Sequence, residues 1–305
     1  MAYYYGHPPG QVPMPMPMPM PVPMPMAAPM HPPMYMPPPQ HRYTVWFMPV
    51  IFFLKIGMFI YSMYENNCPG NRGVVKRHDC ILEHPLGRFS FEPYHENRMI
   101  GPATATLIKL GALKADLVYN GDYYRLFGYM FLHAGVIPLL INMLGVLIFG
   151  NRFETDFGFW RVGPLYLISG VGGSLMSVLE LIDKKRTHDT ISVGASGALF
   201  GLLGASLSEL MTNWGHYTDR CLQLFSILLV IGLNVAIGLL NPWIDWAAHV
   251  GGFVTGCLLG FVLFIKPQPG YINRKYLPPG YQPISRHKCY QYIFLVLALV
   301  AFLAL

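Results

Sequence analysis

Seven apolar runs, at residues 45–63, 136–149, 162–182, 190–211, 222–240, 244–265 and 290–305, leave this chain few ways to fold. At a rise of about 1.5 Å per residue, roughly 20 residues cross the hydrocarbon core of a bilayer. Inside lipid each backbone N–H and C=O must find its partner within the same segment, so continuous runs of this length fold as helices. Only 12% of the residues are charged, about half the share in a soluble domain. The fold class is therefore all-α, a polytopic membrane bundle. The first run carries Pro49 and Lys55 and must pack against other helices, and the last, about 16 residues long, is short for a span.

The flanks give an orientation. Residues 1–42 are dominated by a proline and methionine tract that cannot build a core, and they read as a disordered tail with neither a signal-peptide core nor an arginine-rich transit pattern. Residues 43–305 form the membrane domain, with 64–124 a structured first loop, too long to be a mere connection. With the amino terminus in the cytosol, that side receives Arg42, Arg152, Arg161, Arg220, Lys266, Arg274, Lys275, Arg286 and Lys288; the opposite side receives Lys184, Lys185 and Arg186. Basic residues favour the cytosolic face, so the amino terminus is cytosolic and the first loop lumenal. Cys68 and Cys80 then face an oxidising compartment and are a candidate disulfide. The net charge of +6 is spread through the loops rather than gathered in a stripe, which argues against nucleic acid as a partner and for the bilayer.

Two of the runs hold chemistry. The fourth contains Ser196 among small residues, and the sixth contains His249. An ionisable side chain inside a span is by default a functional residue. If the fourth span starts near Thr190, Ser196 lies one to two turns, roughly 10 Å, below the lumenal surface, and His249 falls at a matching depth. Gly197, Gly201 and Ala205 in one run, and Gly252, Gly256 and Gly260 in the other, provide the small-residue notches that let two helices approach. A serine hydroxyl needs a base, and a neutral imidazole suits that task near pH 7. Asp245 lies a turn above His249, toward the surface, so a dyad fits better than a triad. An acyl transfer also needs donors at the developing oxyanion, each worth about 3 to 4 kcal/mol; the Asn142 amide and the Ser196 backbone N–H are the expected pair. No cofactor is expected, and no His/Cys/Asp/Glu cluster has metal-ligand spacing.

These residues carry a resemblance. Gly194-Ala195-Ser196-Gly197 resembles the GxSG motif of the rhomboid intramembrane serine proteases, Ala248-His249 with Gly252 and Gly256 resembles their AHxxGxxxG motif, and Asn142-Met143 resembles the asparagine end of their second-span motif. Cys68-Pro69, Ile100-Gly101-Pro102, Glu154 with Phe157-Gly158, and Leu207-Ser208-Glu209-Leu210 with Thr212-Asn213-Trp214 are similar to the plant secretase-type branch. The resemblance implies a six-helix core plus one carboxy-terminal span, an endopeptidase that cuts single-span membrane proteins near the lumenal face, and a Golgi or plasma-membrane address on the secretory route. It also implies that Phe200, one turn past the nucleophile, stacks on the histidine. Pro138 stands where active relatives carry a second oxyanion histidine four residues before the asparagine, and Tyr124-Arg125 replaces Trp-Arg. His133 lies upstream, at a spacing that does not let it substitute by a register shift. The Pro138 departure sets the competing expectation: a weak or inactive relative that binds transmembrane clients and steers their trafficking or turnover.

Overall fold

The computed structural model describes residues 42–70, 80–183, 190–240, 244–268 and 286–304. The proline-rich tail before Arg42, the Lys184–Arg186 cluster, and Arg274 and Lys275 lie outside the described residues. Within the unit His41–Leu305 the described chain is helical, with three isolated β-bridges and no strand. We number the long helices α1 (Phe47–Asn66), α2 (Val136–Phe157), α3 (Phe159–Asp183), α4 (Ser196–Thr212), α5 (Arg220–Leu240), α6 (Trp246–Leu263) and α7 (Cys289–Ala304). Five of them are long and apolar enough by themselves to cross a membrane; α4 has 17 residues and α7 has 16. The architecture is the helical membrane bundle expected, six helices plus a carboxy-terminal one.

Two helices differ from the sequence reading. α2 does not stop at Phe149 but continues to Phe157, accommodating Val146–Gly150 as a π turn. The continuation has a structural use. Glu154, fully buried, accepts the N–H groups of Trp46 and Phe47 at 3.0 and 2.8 Å and that of Met48 at 2.8 Å. The first N–H groups of a helix have no intrahelical acceptor, so α2 supplies the cap that α1 lacks. The other difference is α4, which begins at Ser196 rather than near Thr190. Ser192 is tied to Leu113 by backbone hydrogen bonds of 3.0 and 2.9 Å, and Gly194 sits at φ +130°, so the chain enters α4 through a fixed turn rather than as helix.

The centre of the bundle is a seam of backbone contact. A Cβ added to Gly252 would overlap the carbonyl oxygen of Gly197, one on Gly256 that of Gly201, and one on Gly204 would meet Phe253 O and Cys257 N. Only glycine permits this approach of α4 to α6. α3 closes the third side, with Gly173 facing the Ala248 carbonyl at 2.7 Å from a hypothetical Cβ.

The first loop is built rather than slack. Cys68 and Cys80 are joined by a disulfide. Arg125, buried to 6% exposure, donates to Ile108 O, Ala112 O and Asp122 at 2.8 to 3.0 Å. Asn66 at the end of α1 donates to Glu92 at 2.9 Å and accepts from Ala103 N and the Thr106 hydroxyl. These bonds satisfy buried polar groups that would each cost about 1–3 kcal/mol if left unpaired.

Candidate active site

Ser196 is the first residue of α4, half-buried, directly after the turn at Gly194. That start has a chemical consequence. Its N–H belongs to the first turn, which lacks intrahelical acceptors and carries the positive end of the helix dipole, so it is free to donate to an oxyanion. The turn is held from outside by the Gly194 N–H, which donates to Tyr129 O at 3.0 Å. Tyr129 is itself buried, donating through its hydroxyl to Gly170 O at 2.9 Å.

His249 lies one turn into α6, also half-buried. Its imidazole stacks on Phe200 with ring centroids 4.1 Å apart and planes 10° from parallel. Phe200 follows Ser196 by one turn of α4, so the stack holds the imidazole against the helix that carries the hydroxyl. Beside it, Ala248 backs onto Gly197, with its carbonyl 3.3 Å from a hypothetical Gly197 Cβ. The residues next to Ser196 and His249 are thus in direct contact. Among the described residues the hydroxyl and the ring do not themselves form a hydrogen bond.

Asn142 is buried in α2 at 6% exposure, and its Nδ2 stands 3.6 Å from a Cβ placed on Gly194. The amide therefore reaches the turn that delivers Ser196. Asp245 is the N-cap of α6: one carboxylate oxygen accepts the Ala248 N–H at 2.9 Å and the other the Ser177 hydroxyl at 2.6 Å. Its oxygens are engaged in fastening the start of α6 to α3. Gly252 and Gly256 line the α4 contact below His249.

The two departures have clear places. Pro138 is the third residue of α2, in the first turn, where a missing N–H breaks no helical bond. His133 turns into the protein, fully buried, and neither ring nitrogen meets a hydrogen-bond partner. Burial, aided by the charge of Lys55 and opposed in part by the nearby Phe131 backbone, pushes the His133 pKa down to about 3. Lys55 is likewise fully buried within α1 and donates to the Tyr166 hydroxyl of α3. Sequence reasoning noted Lys55 only as a reason for packing; the partner on α3 carried no sequence signal. Among the described residues no group of three or more His, Cys, Asp or Glu side chains is placed to hold a metal ion.

Comparison with known proteins identifies the family. A family model described as the Rhomboid domain matches residues 120–266, which include Asn142, Ser196 and His249. The chain is 46% identical over 271 residues to RHOMBOID-like protein 5 of Arabidopsis thaliana, covering 88% of this chain and 84% of that one. It is 45% identical over 265 residues to RHOMBOID-like protein 6, mitochondrial, of the same plant, covering 86% and 83%. Inactive RHOMBOID-like protein 8, also from that plant, is 37% identical over 244 residues, covering 80% and 65%. With that domain match and identities of this order along most of its length, the chain belongs to the rhomboid family.

Proposed function

We propose that the protein is an intramembrane serine endopeptidase in which Ser196 attacks the scissile carbonyl, His249 takes the hydroxyl proton and later returns it to the leaving amine, and the Ser196 N–H with the Asn142 amide receives the oxyanion. The observation that carries this reading is the 4.1 Å stack of His249 on Phe200, one turn from a serine that opens its helix. A hydroxyl and an imidazole on separate helices are kept on one face of the α4–α6 seam, and a helix N-terminus is supplied where negative charge develops. Substrates are single-span membrane proteins cut near the face on which α4 and α6 begin. On the same reading the amino terminus is cytosolic and the membrane belongs to the secretory route, Golgi or plasma membrane. Protease protection of an amino-terminal tag in sealed microsomes, together with organelle fractionation, tests that address; recovery with mitochondria, the compartment in the name of RHOMBOID-like protein 6, overturns it.

The second reading, a catalytically weak or inactive protein that binds transmembrane clients for trafficking or turnover, is favoured by Pro138, which leaves Asn142 and one backbone N–H as the oxyanion donors. One experiment separates the two. A generic single-span rhomboid substrate is incubated in liposomes with the natural protein, Ser196→Ala, His249→Ala and Pro138→His. Cleavage by the natural protein that vanishes in both the Ser196 and His249 variants supports the protease. Cleavage by Pro138→His alone replaces it with the client binder.

A further inference from the structure

The turn between α2 and α3 and the chain that enters α1 enclose a cleft of about 420 Å³, within the range of small-ligand sites, about 300–1,000 Å³. Five aromatic rings and one arginine form most of its wall: Tyr43, Trp46, Phe157, Phe159, Trp160 and Arg161. The local chain makes this shape. Gly158 stands at φ +76°, a left-handed conformation that suits glycine, and a Cβ there would come within 3.0 Å of the Tyr43 ring. Tyr43 can therefore lie against the turn, where its N–H donates to Thr155 O at 2.8 Å. Trp46 packs on Phe159 with ring centroids 4.5 Å apart, and Phe159 on Trp160 at 4.2 Å. Both indoles still keep open surface, Trp46 being 47% exposed and Trp160 79%.

The chemistry of the wall selects its occupant. Indole faces attract cations, and this corner of the molecule already uses a ring in that way: the Lys266 ammonium lies 4.2 Å from the centroid of Phe157. No carboxylate lines the cleft. The two acids that precede the turn are engaged, Glu154 in capping α1 and Asp156 with Lys266 at 3.8 Å. A primary ammonium in the cleft would be left short of acceptors for its three N–H groups. A trimethylammonium has no N–H to satisfy and needs only the ring faces. Arg161, on the same wall, forms no side-chain hydrogen bond or ion pair among the described residues, and a guanidinium is suited to phosphate oxygens. A quaternary ammonium joined to a phosphate by a short linker therefore matches both parts of the wall. The cleft lies where α1 begins, α2 ends and α3 begins, the level at which three spans meet the membrane boundary and lipid headgroups are at hand.

We propose that the cleft binds one phosphatidylcholine molecule, with its phosphodiester on Arg161, its trimethylammonium against Trp46 and Trp160, and its acyl chains in the bilayer. The bound headgroup ties the entry of α1 to the α2–α3 turn. α3, 25 residues long, runs from the cleft to the end of the bundle at which α4 and Ser196 begin. The lipid site is thus separate from the candidate active site, and it depends on the membrane fold rather than on the proposed protease activity.

The test uses the full-length protein in a nonionic detergent, which strips loosely held lipid. It is titrated with dioleoyl phosphatidylcholine and, in parallel, with the matching phosphatidylethanolamine and phosphatidylglycerol, and bound lipid is counted by native mass spectrometry. The expected result is a single saturable phosphatidylcholine, held more tightly than either other lipid. Trp160→Ala is expected to weaken it about five-fold and Arg161→Gln about ten-fold. Tyr119→Ala, at an 82% exposed position in the first loop, leaves it unchanged. Trp160 is largely exposed, so its replacement spares the fold, and Trp160→Phe, which keeps a ring, is expected to bind more tightly than Trp160→Ala. Undiminished binding by both Trp160→Ala and Arg161→Gln, or no saturable phosphatidylcholine, overturns the site. Phosphatidylglycerol held more tightly than phosphatidylcholine, and indifferent to Trp160→Ala, overturns it in favour of a charge contact with anionic lipid. Displacement of the lipid by an equimolar amount of free phosphocholine overturns the lipid as the occupant.

Discussion

α4 and α5 are both apolar helices in the same bundle, and they have opposite fates. Of the five helices long and apolar enough to cross a membrane α5 is the most apolar, yet Arg220–Gly238 contains no buried residue; α4 is less uniform, with glycine, serine and glutamate along it, and buries most of its residues. In a bilayer the lipid is as apolar as leucine, so hydrophobicity does not draw a helix inward. What does is close packing and the pairing of polar groups. α4 has Gly197, Gly201 and Gly204 against α6, and Glu209 bonded to Asn213 and Tyr217 at its far end. α5 offers leucine, isoleucine and valine, of which Leu222, Leu228, Leu229, Leu233 and Val235 remain about half exposed or more.

This contrast is broken or sharpened by four measurements. The largest effect is expected for Gly256→Val, which drives a side chain into the Gly201 carbonyl. Overpacking against backbone leaves no rotamer to yield, so a loss of about 3 kcal/mol and of any Ser196-dependent cleavage is expected, read by thermal unfolding in detergent. Unchanged stability would show that the seam gives way, removing the argument from close approach.

Next comes acid. The folded His133 pKa of about 3 lies below the unfolded value of about 6.5. The unfolded chain therefore binds the extra proton first, and the stability contributed by the neutral buried ring is full above pH 6.5 and is lost as pH falls toward 3. Lowering the pH from 7 to 5 removes about 2 kcal/mol through this group. His133→Gln flattens that slope; an identical slope in the variant would assign the acid sensitivity elsewhere.

Asp245→Ala is smaller, about 1 kcal/mol for a lost N-cap, with the Ser177 hydroxyl also left without its acceptor. Asp245→Asn keeps the cap and is expected to recover most of it. If Asp245 instead acted as a third catalytic member, Asn would restore stability without restoring cleavage, and the dyad would be replaced by a triad.

The smallest change is on the exposed helix. A Cβ at Gly232 of α5 has nothing within 4 Å, so Gly232→Ala is expected to be neutral or to add about 0.5 kcal/mol through helix propensity. A loss comparable to that of Gly256→Val would mean that α5 is packed in the membrane in a way its exposed surface does not express.

Legibility in the sequence follows the same division. The glycines of the seam were readable because small-residue spacing at one-turn intervals is a local pattern; Ser196 stood out as a hydroxyl among small residues, and His249 because an ionisable ring is costly in a span. The start of α4 was misplaced because Thr190 to Ala195 are compatible with helix by composition; the bond between Ser192 and Leu113, nearly 80 residues apart in the chain, is what makes them a turn. α2 was cut short at Phe149 for a related reason. Asn151, Arg152 and Glu154 look like a loop until Glu154 is seen to cap α1. The contact of Phe200 with His249 was anticipated by family resemblance and not by spacing.

Hydropathy and residue chemistry are properties of short stretches, and they sufficed to read a helical membrane bundle and to single out Ser196, His249 and Asn142 as its candidate reactive groups. Which backbone groups each segment leaves for another to satisfy is not a property of any one stretch. The tertiary structure alone decided that Ser196 opens its helix, that Asp245 fastens α6 to α3, and that His133 and Lys55 are sealed inside, because each depends on donors, acceptors and packing surfaces brought from distant parts of the chain.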